Sequence, residues 1–173
     1  MKFDDKIGSI QQILTATNVG ILRRQAIIKE LNLKKGQTVI DIGCGGGHLV
    51  EEISMCIGSS GKAIGVDPSE FQIKTAKERC KNLPNVQFLC SNASDINIDK
   101  SSCDAVTFTQ TLEYIDDVDE ALFEAKKLQK PKSIFVNVST LWNFFGFHGP
   151  EKELNDMMHK IYLSQKHPML PVE

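Results

Sequence analysis

The run VIDIGCGGGHL, residues 39–49, constrains this chain more than any other feature. Apolar residues suited to a buried strand lead straight into Gly43, Gly45, Gly46 and Gly47, and an amphipathic segment follows at once. Glycines at this density weaken any regular element, so they mark a turn. Lacking Cβ atoms, such a turn bends sharply and lets a ligand approach the backbone closely. The amides that open the following helix then point at that ligand.

The rest of the chain repeats the alternation. Near-continuous apolar runs at 38–42, 63–67, 86–90, 105–109 and 134–138 read as strands covered on both faces. Between them, Leu49, Ile53 and Cys56 share a helical face, with Val50 and Ile57 beside it. Ser69 with Gln72 has the form of a capping box before a helix whose inner face carries Ile73, Ala76 and Cys80. Asp117 with Glu120 repeats that signature before Val118, Ala121, Leu122, Ala125 and Leu128, and Pro131 is expected to stop this helix. Residues 7–31 read as helical with a break around Asn18 and Gly20. The pattern predicts an α/β fold: a doubly wound, Rossmann-like, mostly parallel sheet of five recognisable strands flanked by helices. In such a sheet the glycine turn lies at the carboxyl end of the first strand, where ligands bind beside the topological switch point. Asp67 closes the next run, AIGVD, where a carboxylate can accept hydrogen bonds from both hydroxyls of a ribose.

Composition narrows the function. At 173 residues the chain is one domain, and with 41% hydrophobic residues it can build a core without staples. A formal net charge of −2 gives no field for general nucleic-acid or anionic-membrane attraction. No stretch approaches the ~20 apolar residues needed to span a bilayer, and the start, MKFDDKIGSIQQ, does not have the form of a secretory signal. Cys44, Cys56, Cys80, Cys90 and Cys103 are scattered and never form a CxxC pair, which argues against a disulfide framework or a zinc site. A cytoplasmic location is expected. His48, His159 and His167 share no metal-binding spacing, so no metal is expected.

The glycine spacing selects among nucleotide ligands. A phosphate-binding P-loop would close on Lys and Ser/Thr, where His48 and Leu49 stand. A dinucleotide fingerprint read from Gly43 meets His48 at its sixth position, so an NAD(P)-linked oxidoreductase is the runner-up. The run is better written D-x-G-x-G-x-G, with Asp41, Gly43, Gly45 and Gly47.

These motifs resemble the class I S-adenosylmethionine-dependent methyltransferases, in the small-molecule group that includes the ubiquinone and menaquinone methyltransferases. VIDIGCGGG resembles the first family motif, GVDPS the second, and FLCSNASDINIDKSSCDAVTFTQTLEYIDD the stretch around the third and fourth strands. The resemblance runs from about Arg23 to Val138 and implies S-adenosylmethionine as cofactor. It implies a cofactor set of Asp41, Gly43, Cys44, Gly45, Gly47, Asp67, Pro68, Asn92, Ala93 and Gln110. Within it, the glycines meet the methionine portion and sugar, and Asp41 lies near the ammonium group. Asp67 holds the ribose. Asn92, where the family most often has Asp, and the Ala93 amide meet the adenine. Gln110 lines the methionine end. Because the sulfonium already activates the methyl group, orientation is the protein's main task, and no nucleophilic triad is expected.

Residues 1–33 are then a helical cap, 34–140 the cofactor-binding core, and 141–173 an acceptor-side helical segment. Trp142, Phe144, Phe145 and Phe147 form an aromatic cluster. Trp142, Phe145 and His148 are candidate acceptor contacts, with His148 a candidate base. The family's sixth and seventh strands have no counterpart after Val138, so the expectation is either a C-terminally truncated form or a fifth-strand edge covered by the aromatic segment or by a partner, a homodimer through that edge among them. The reading is a methyltransferase acting on a small-molecule acceptor, neither bound to nucleic acid nor spanning a membrane. A noncatalytic S-adenosylmethionine-binding module is a further alternative. No cysteine follows Cys103 to hold a metalloid, and TQTL stands where a nucleic-acid enzyme would carry an NPPY-type motif.

Overall fold

A computed structural model describes residues 5–140 and 151–164. Five strands form one sheet: β1 (Thr38–Ile42), β2 (Lys62–Asp67), β3 (Val86–Cys90), β4 (Cys103–Thr109) and β5 (Gln129–Val138). Their order is β3-β2-β1-β4-β5, and every pairing is parallel. The chain winds outward from β1 in one direction, then returns to its other side, which places the topological switch between β1 and β4. Among the described residues no sixth or seventh strand is present.

Helices cover both faces. The helices α2 (Asn18–Leu31), α3 (His48–Ile57) and α4 (Glu70–Arg79) bury Ile27, Leu31, Leu49, Val50, Ile53, Ile57 and Ile73 together with Val39, Ala63 and Ala105 of the sheet. Across the sheet, α5 (Val118–Leu128) packs Ala125 and Leu128 against Ile40, Ile42, Ile64, Val66, Val106 and Phe108. Removing each large aliphatic side chain from water contributes about 1.5–3 kcal/mol, and the two clusters clamp the sheet between them. A last helix, α6 (Lys152–Ser164), follows β5.

The strands match the periodicity closely, with β1 and β3 at the expected residues. β5 differs. It begins at Gln129, and Pro131 lies inside it instead of ending α5, which stops at Leu128. A proline is tolerated there because β5 is an edge strand whose outer N–H groups bond no neighbour in the sheet. The register shift between Cys103 and Ala105, and the positive φ of 63° at Lys132, absorb the irregularity.

The N-terminal helices are held by an elbow. α1 (Asp5–Thr15) ends two residues short of α2, whose first turn is capped by the Thr17 side chain accepting from the Gly20 amide. The break therefore falls at residues 16–17, just before the expected Asn18. Arg24, only 7% exposed, donates Nη1 to the Thr15 carbonyl at 2.7 Å and pairs Nε with Glu52 of α3 at 2.6 Å. One guanidinium thus ties three helices. At Gly20 a Cβ would stand 2.3 Å from the Thr15 carbonyl oxygen, so only glycine lets the chain bend this tightly. An exposed helical Gly→Ala change ordinarily stabilises by up to about 1 kcal/mol. Gly20→Ala should instead destabilise by about 1–3 kcal/mol through the forced backbone shift. Urea unfolding of the variant checks the sign, and a gain in stability would contradict the elbow.

Candidate functional site

The glycine turn is pinned to β2. The Val66 carbonyl accepts from both the Gly43 amide (2.7 Å) and the Cys44 amide (2.9 Å), and the Gly45 amide donates to Asp67 Oδ2 at 2.9 Å. Asp67 Oδ1 accepts from the Ser69 amide at 2.9 Å. Gly43, Gly45 and Gly47 hold φ values of 80°, 50° and 78°, the left-handed region that side chains other than glycine rarely adopt. Their reasons then diverge. A Cβ at Gly43 would collide with Thr111 and one at Gly47 with Ala76 of α4, so these glycines permit close packing. A Cβ at Gly45 would meet nothing nearer than 3.9 Å, so this glycine serves the backbone bend itself.

Beside the turn lies a crevice of about 810 Å³, within the range of small-molecule sites. Gly43, Asp67 and Pro68 form one wall, Asn92 and Ala93 a second, and Gln110, Thr111 and Tyr114 a third at the end of β4. It therefore sits at the switch point. From the N-terminal side, Gln11 of α1 reaches its rim. Gln72 Nε2 donates to Gln11 Oε1 (2.5 Å), Gln12 Nε2 donates to Gln72 Oε1 (2.8 Å), and Arg79 Nε donates to the Gly46 carbonyl (2.8 Å). The expected capping box is thus half formed. Ser69 caps the Gln72 amide, but the Gln72 side chain is spent on α1.

Burial sets the electrostatics beneath the turn. Asp41 is 2% exposed, and its Oδ1 is enclosed without a hydrogen-bond partner. Desolvation, then the nearby Asp67 carboxylate, push its carboxyl up to about 7. Asp67 is also raised by burial, but the amides of Ser69 and Gly45 pull it back. Burial drives the Cys44 thiol well above its ordinary value. His48 falls to about 4 through burial and the neighbouring Arg79 and Arg24 cations, so it is neutral at physiological pH.

The profile of the methyltransferase-domain family matches residues 33–166. The chain belongs to that family. Demethylmenaquinone methyltransferase of Staphylococcus carnosus is 33% identical over 117 residues, 68% of this chain and 48% of the relative. The Staphylococcus aureus protein of the same name is 29% identical over the same share. The chain spans about half the length of these curated relatives. A SAM-dependent methyltransferase from Aquifex aeolicus superposes with a TM-score of 0.74 at 26% identity, covering 88% of this chain and 80% of that one. A protein of Methanococcus maripaludis shares the fold, with a TM-score of 0.65 at 20% identity over 94% and 72% of the two chains. The fold and motifs place this methyltransferase domain in class I, whose cofactor is S-adenosylmethionine.

Within the methyltransferase crevice, Gly43, Asp67, Pro68, Asn92, Ala93 and Gln110 line the wall. Asp41, Cys44, Gly45 and Gly47 lie behind them as buried support. The residues fit the cofactor: a carboxylate at the rim, a glycine turn beside it, and an orphaned acid beneath. Among the described residues the exposed Asn92 amide group makes no hydrogen bond, while its backbone carbonyl accepts from Asp95. Gln110 holds a positive φ of 49°, costly for a non-glycine residue. Its side chain accepts from Arg23 Nη1 and donates to Thr140 Oγ1. Arg23 and Gln11 escaped sequence reasoning because only tertiary packing brings α1 and α2 here. Trp142, Phe145 and His148 lie outside the described residues.

Asp41 makes stability pH-dependent. Its folded value lies above the unfolded 3.8, so the native state favours its protonated form. The Asp41 contribution to stability is complete below about pH 4 and is lost as pH rises to about 7, by roughly 4 kcal/mol at most. Urea unfolding at pH 5 and pH 8 should show the parent losing more stability than Asp41→Asn over that interval. Equal losses would contradict the placement.

Proposed function

We propose that this chain transfers a methyl group from S-adenosylmethionine to a small organic acceptor. The observation carrying the reading is the glycine turn whose Gly45 amide is bonded to Asp67 at the mouth of a crevice between β1 and β4. That arrangement suits an adenosyl ligand. Each Asp67 oxygen accepts one backbone amide and keeps a lone pair for a ribose hydroxyl. Asn92 and the Ala93 amide receive the adenine. Arg23, bonded to Gln110 from α2, would hold the carboxylate of the methionine end, and Asp41 its ammonium group.

The bound cofactor supplies a methyl group already activated on a sulfonium. The chain supplies orientation, and holding two reactants in line is worth about 7–11 kcal/mol of barrier. Asp67 and the turn would hold the sugar, and Gln110 and Thr111 at the end of β4 would line the side of the crevice that takes the methyl-bearing end. The rigid sheet ends keep that geometry. The acceptor is proposed to enter past Tyr114, and Trp142, Phe145 and His148 are its proposed contacts, with His148 the proposed base. Similarity to demethylmenaquinone methyltransferases puts demethylmenaquinone first among acceptors to try.

No described helix is long and apolar enough to cross a membrane, and a cytoplasmic site of action is proposed. A second copy would pair through residues 134–138 of β5, since Lys130, Pro131 and Lys132 discourage pairing at its start.

Ligand-induced thermal shift tests the reading. S-adenosylhomocysteine at 100 times its Kd should raise the parent Tm by about 5–10 °C. Asp67→Ala should lose most of that shift, and NAD should produce none. Equal stabilisation of variant and parent would remove Asp67 as the ribose anchor, and stabilisation by NAD alone would replace the cofactor.

A further inference from the structure

Behind the crevice wall, β1 and β4 carry a polar patch that the packing leaves unsatisfied. Asp41 is in register with Gly65 of β2 on one side and Thr107 of β4 on the other. Register partners in a parallel sheet direct their side chains to the same face, and Thr109 follows Thr107 on that face two residues on. Gly65 adds no side chain. Asp41 Oδ1, Thr107 Oγ1 and Thr109 Oγ1 are all enclosed, and none has a hydrogen-bond partner. An orphaned buried polar atom costs about 1–3 kcal/mol, so folded proteins tolerate few and seldom group them. Three on one patch, under the turn that holds a ligand, describe a place completed by something polar from outside.

The surroundings decide which group there exchanges a proton. Of the two neighbouring carboxylates, Asp67 is served by two backbone amides, which favour its ionised form, whereas Asp41 Oδ1 has no donor. A single proton shared by the pair therefore resides on Asp41. The other groups near it are committed or silent. From α2, Arg24 is bound to Glu52 and the Thr15 carbonyl, and Arg23 to Gln110. From the turn and α3, the Cys44 thiol stays protonated and His48 stays neutral near pH 7. From α4, the Cys80 thiol is pushed up to about 11, and Arg79 is engaged with the Gly46 carbonyl. β4 contributes only hydroxyls to the patch.

We propose that Asp41 is a proton-exchanging anchor: in the free protein it holds a proton beside the Thr107–Thr109 hydroxyl row, and it releases that proton to solvent when an ammonium group docks against it. This rests on the methyl-donor reading above. The balance is simple. The Asp41 O–H bond breaks, the proton passes to water, and the carboxylate left behind is neutralised by the incoming cation, with Thr107 free to turn its hydroxyl toward it. Asp41 is neutralised in both states, by its proton or by the docked ammonium, so its own charge is never buried unpaired. Burial of Asp41, with a carboxyl raised to about 7, sets the exchange in the physiological range.

Calorimetry with S-adenosylhomocysteine in buffers of different ionisation enthalpy reads the released proton directly. The parent should release close to one proton per ligand at pH 6 and close to none at pH 8, with affinity tightening about tenfold over that interval. Asp41→Asn should bind more weakly and lose both effects, and because it senses any titration of the ligand's own amine, the difference belongs to Asp41. 5′-Methylthioadenosine, which lacks the amino-acid end, should bind parent and variant alike without proton release, which also reports that the variant folds. Thr107→Val should move the pH midpoint upward. Binding of S-adenosylhomocysteine that is flat with pH and releases no proton would overturn this inference and leave the methyl-donor reading intact. Failure of both adenosyl ligands to bind the parent would overturn the methyl-donor reading itself. An unmoved midpoint in Thr107→Val would remove that hydroxyl from the site.

Discussion

The architecture of the site depends on the hydrogen bonds that fasten the glycine turn to the end of β2. Val66 offers its carbonyl to two consecutive amides of the turn, and Asp67 takes a third through its side chain. Without these, a segment with glycine at four of five positions would sample many conformations, because glycine loses more freedom on ordering than any other residue. With them, the turn is set by two neighbouring strands whose register is itself fixed by the core. The residue proposed to hold the ribose is also the one that shapes the turn beside it. On that proposal binding and pre-organisation are carried by one carboxylate, and the ordering cost falls on folding, not on ligand binding.

The N-terminal helices add a second restraint of different chemistry. α1 meets α4 through polar side chains, Gln11 and Gln12 against Gln72 and Arg79 Nη2 donating to Gln12, with Gly8 close to the Phe71 ring. Such contacts are individually modest, about 0.5–1.5 kcal/mol each. At the elbow, by contrast, α1 is held firmly, where Arg24 grips the Thr15 carbonyl and Gly20 permits the close bend. The helix is thus fixed at its C-terminal end by the elbow and tied to α4 by polar contacts beside the crevice. The lost half of the capping box belongs to this economy, since the Gln72 side chain joins two helices where it would otherwise only have closed one.

The sheet was legible because its signal is local. β1 and β3 are short β-branched or aromatic runs bounded by turn residues, and their residues coincide with the expected ones. The start of β5 was not, because Gln129, Lys130, Pro131 and Lys132 carry breaker chemistry, and only an edge position makes them acceptable in a strand. At the site, Asp67 could be found from its place at the end of the strand after the glycine turn. The separate duties of Gly43 and Gly45 could not, since one is crowded by Thr111 across 68 positions of sequence and the other has room for a Cβ beside Gln11 and Gln72. Arg23 reads as one more charge on a helix until α2 folds it against Gln110. Thr107 and Thr109 read as ordinary strand formers, and nothing in their spacing indicates that both hydroxyls end without a partner.

The same β1 and β4 strands show where folding gives way to binding. Val39 and Ala105 pair in the lower row and are fully buried in the apolar core. One row further on the same face, Asp41 pairs with Thr107, equally buried but polar. Aliphatic side chains in that second row would extend the core and remove two orphaned oxygens, Asp41 Oδ1 and Thr107 Oγ1, a gain of a few kcal/mol by the usual cost of about 1–3 for each. The apolar layer instead stops one step short of the carboxyl ends, and at that step the sheet exchanges stability for a place where charge can appear. In a doubly wound sheet this is the step nearest the switch point, the position where the backbone opens and a ligand can supply what the protein withholds.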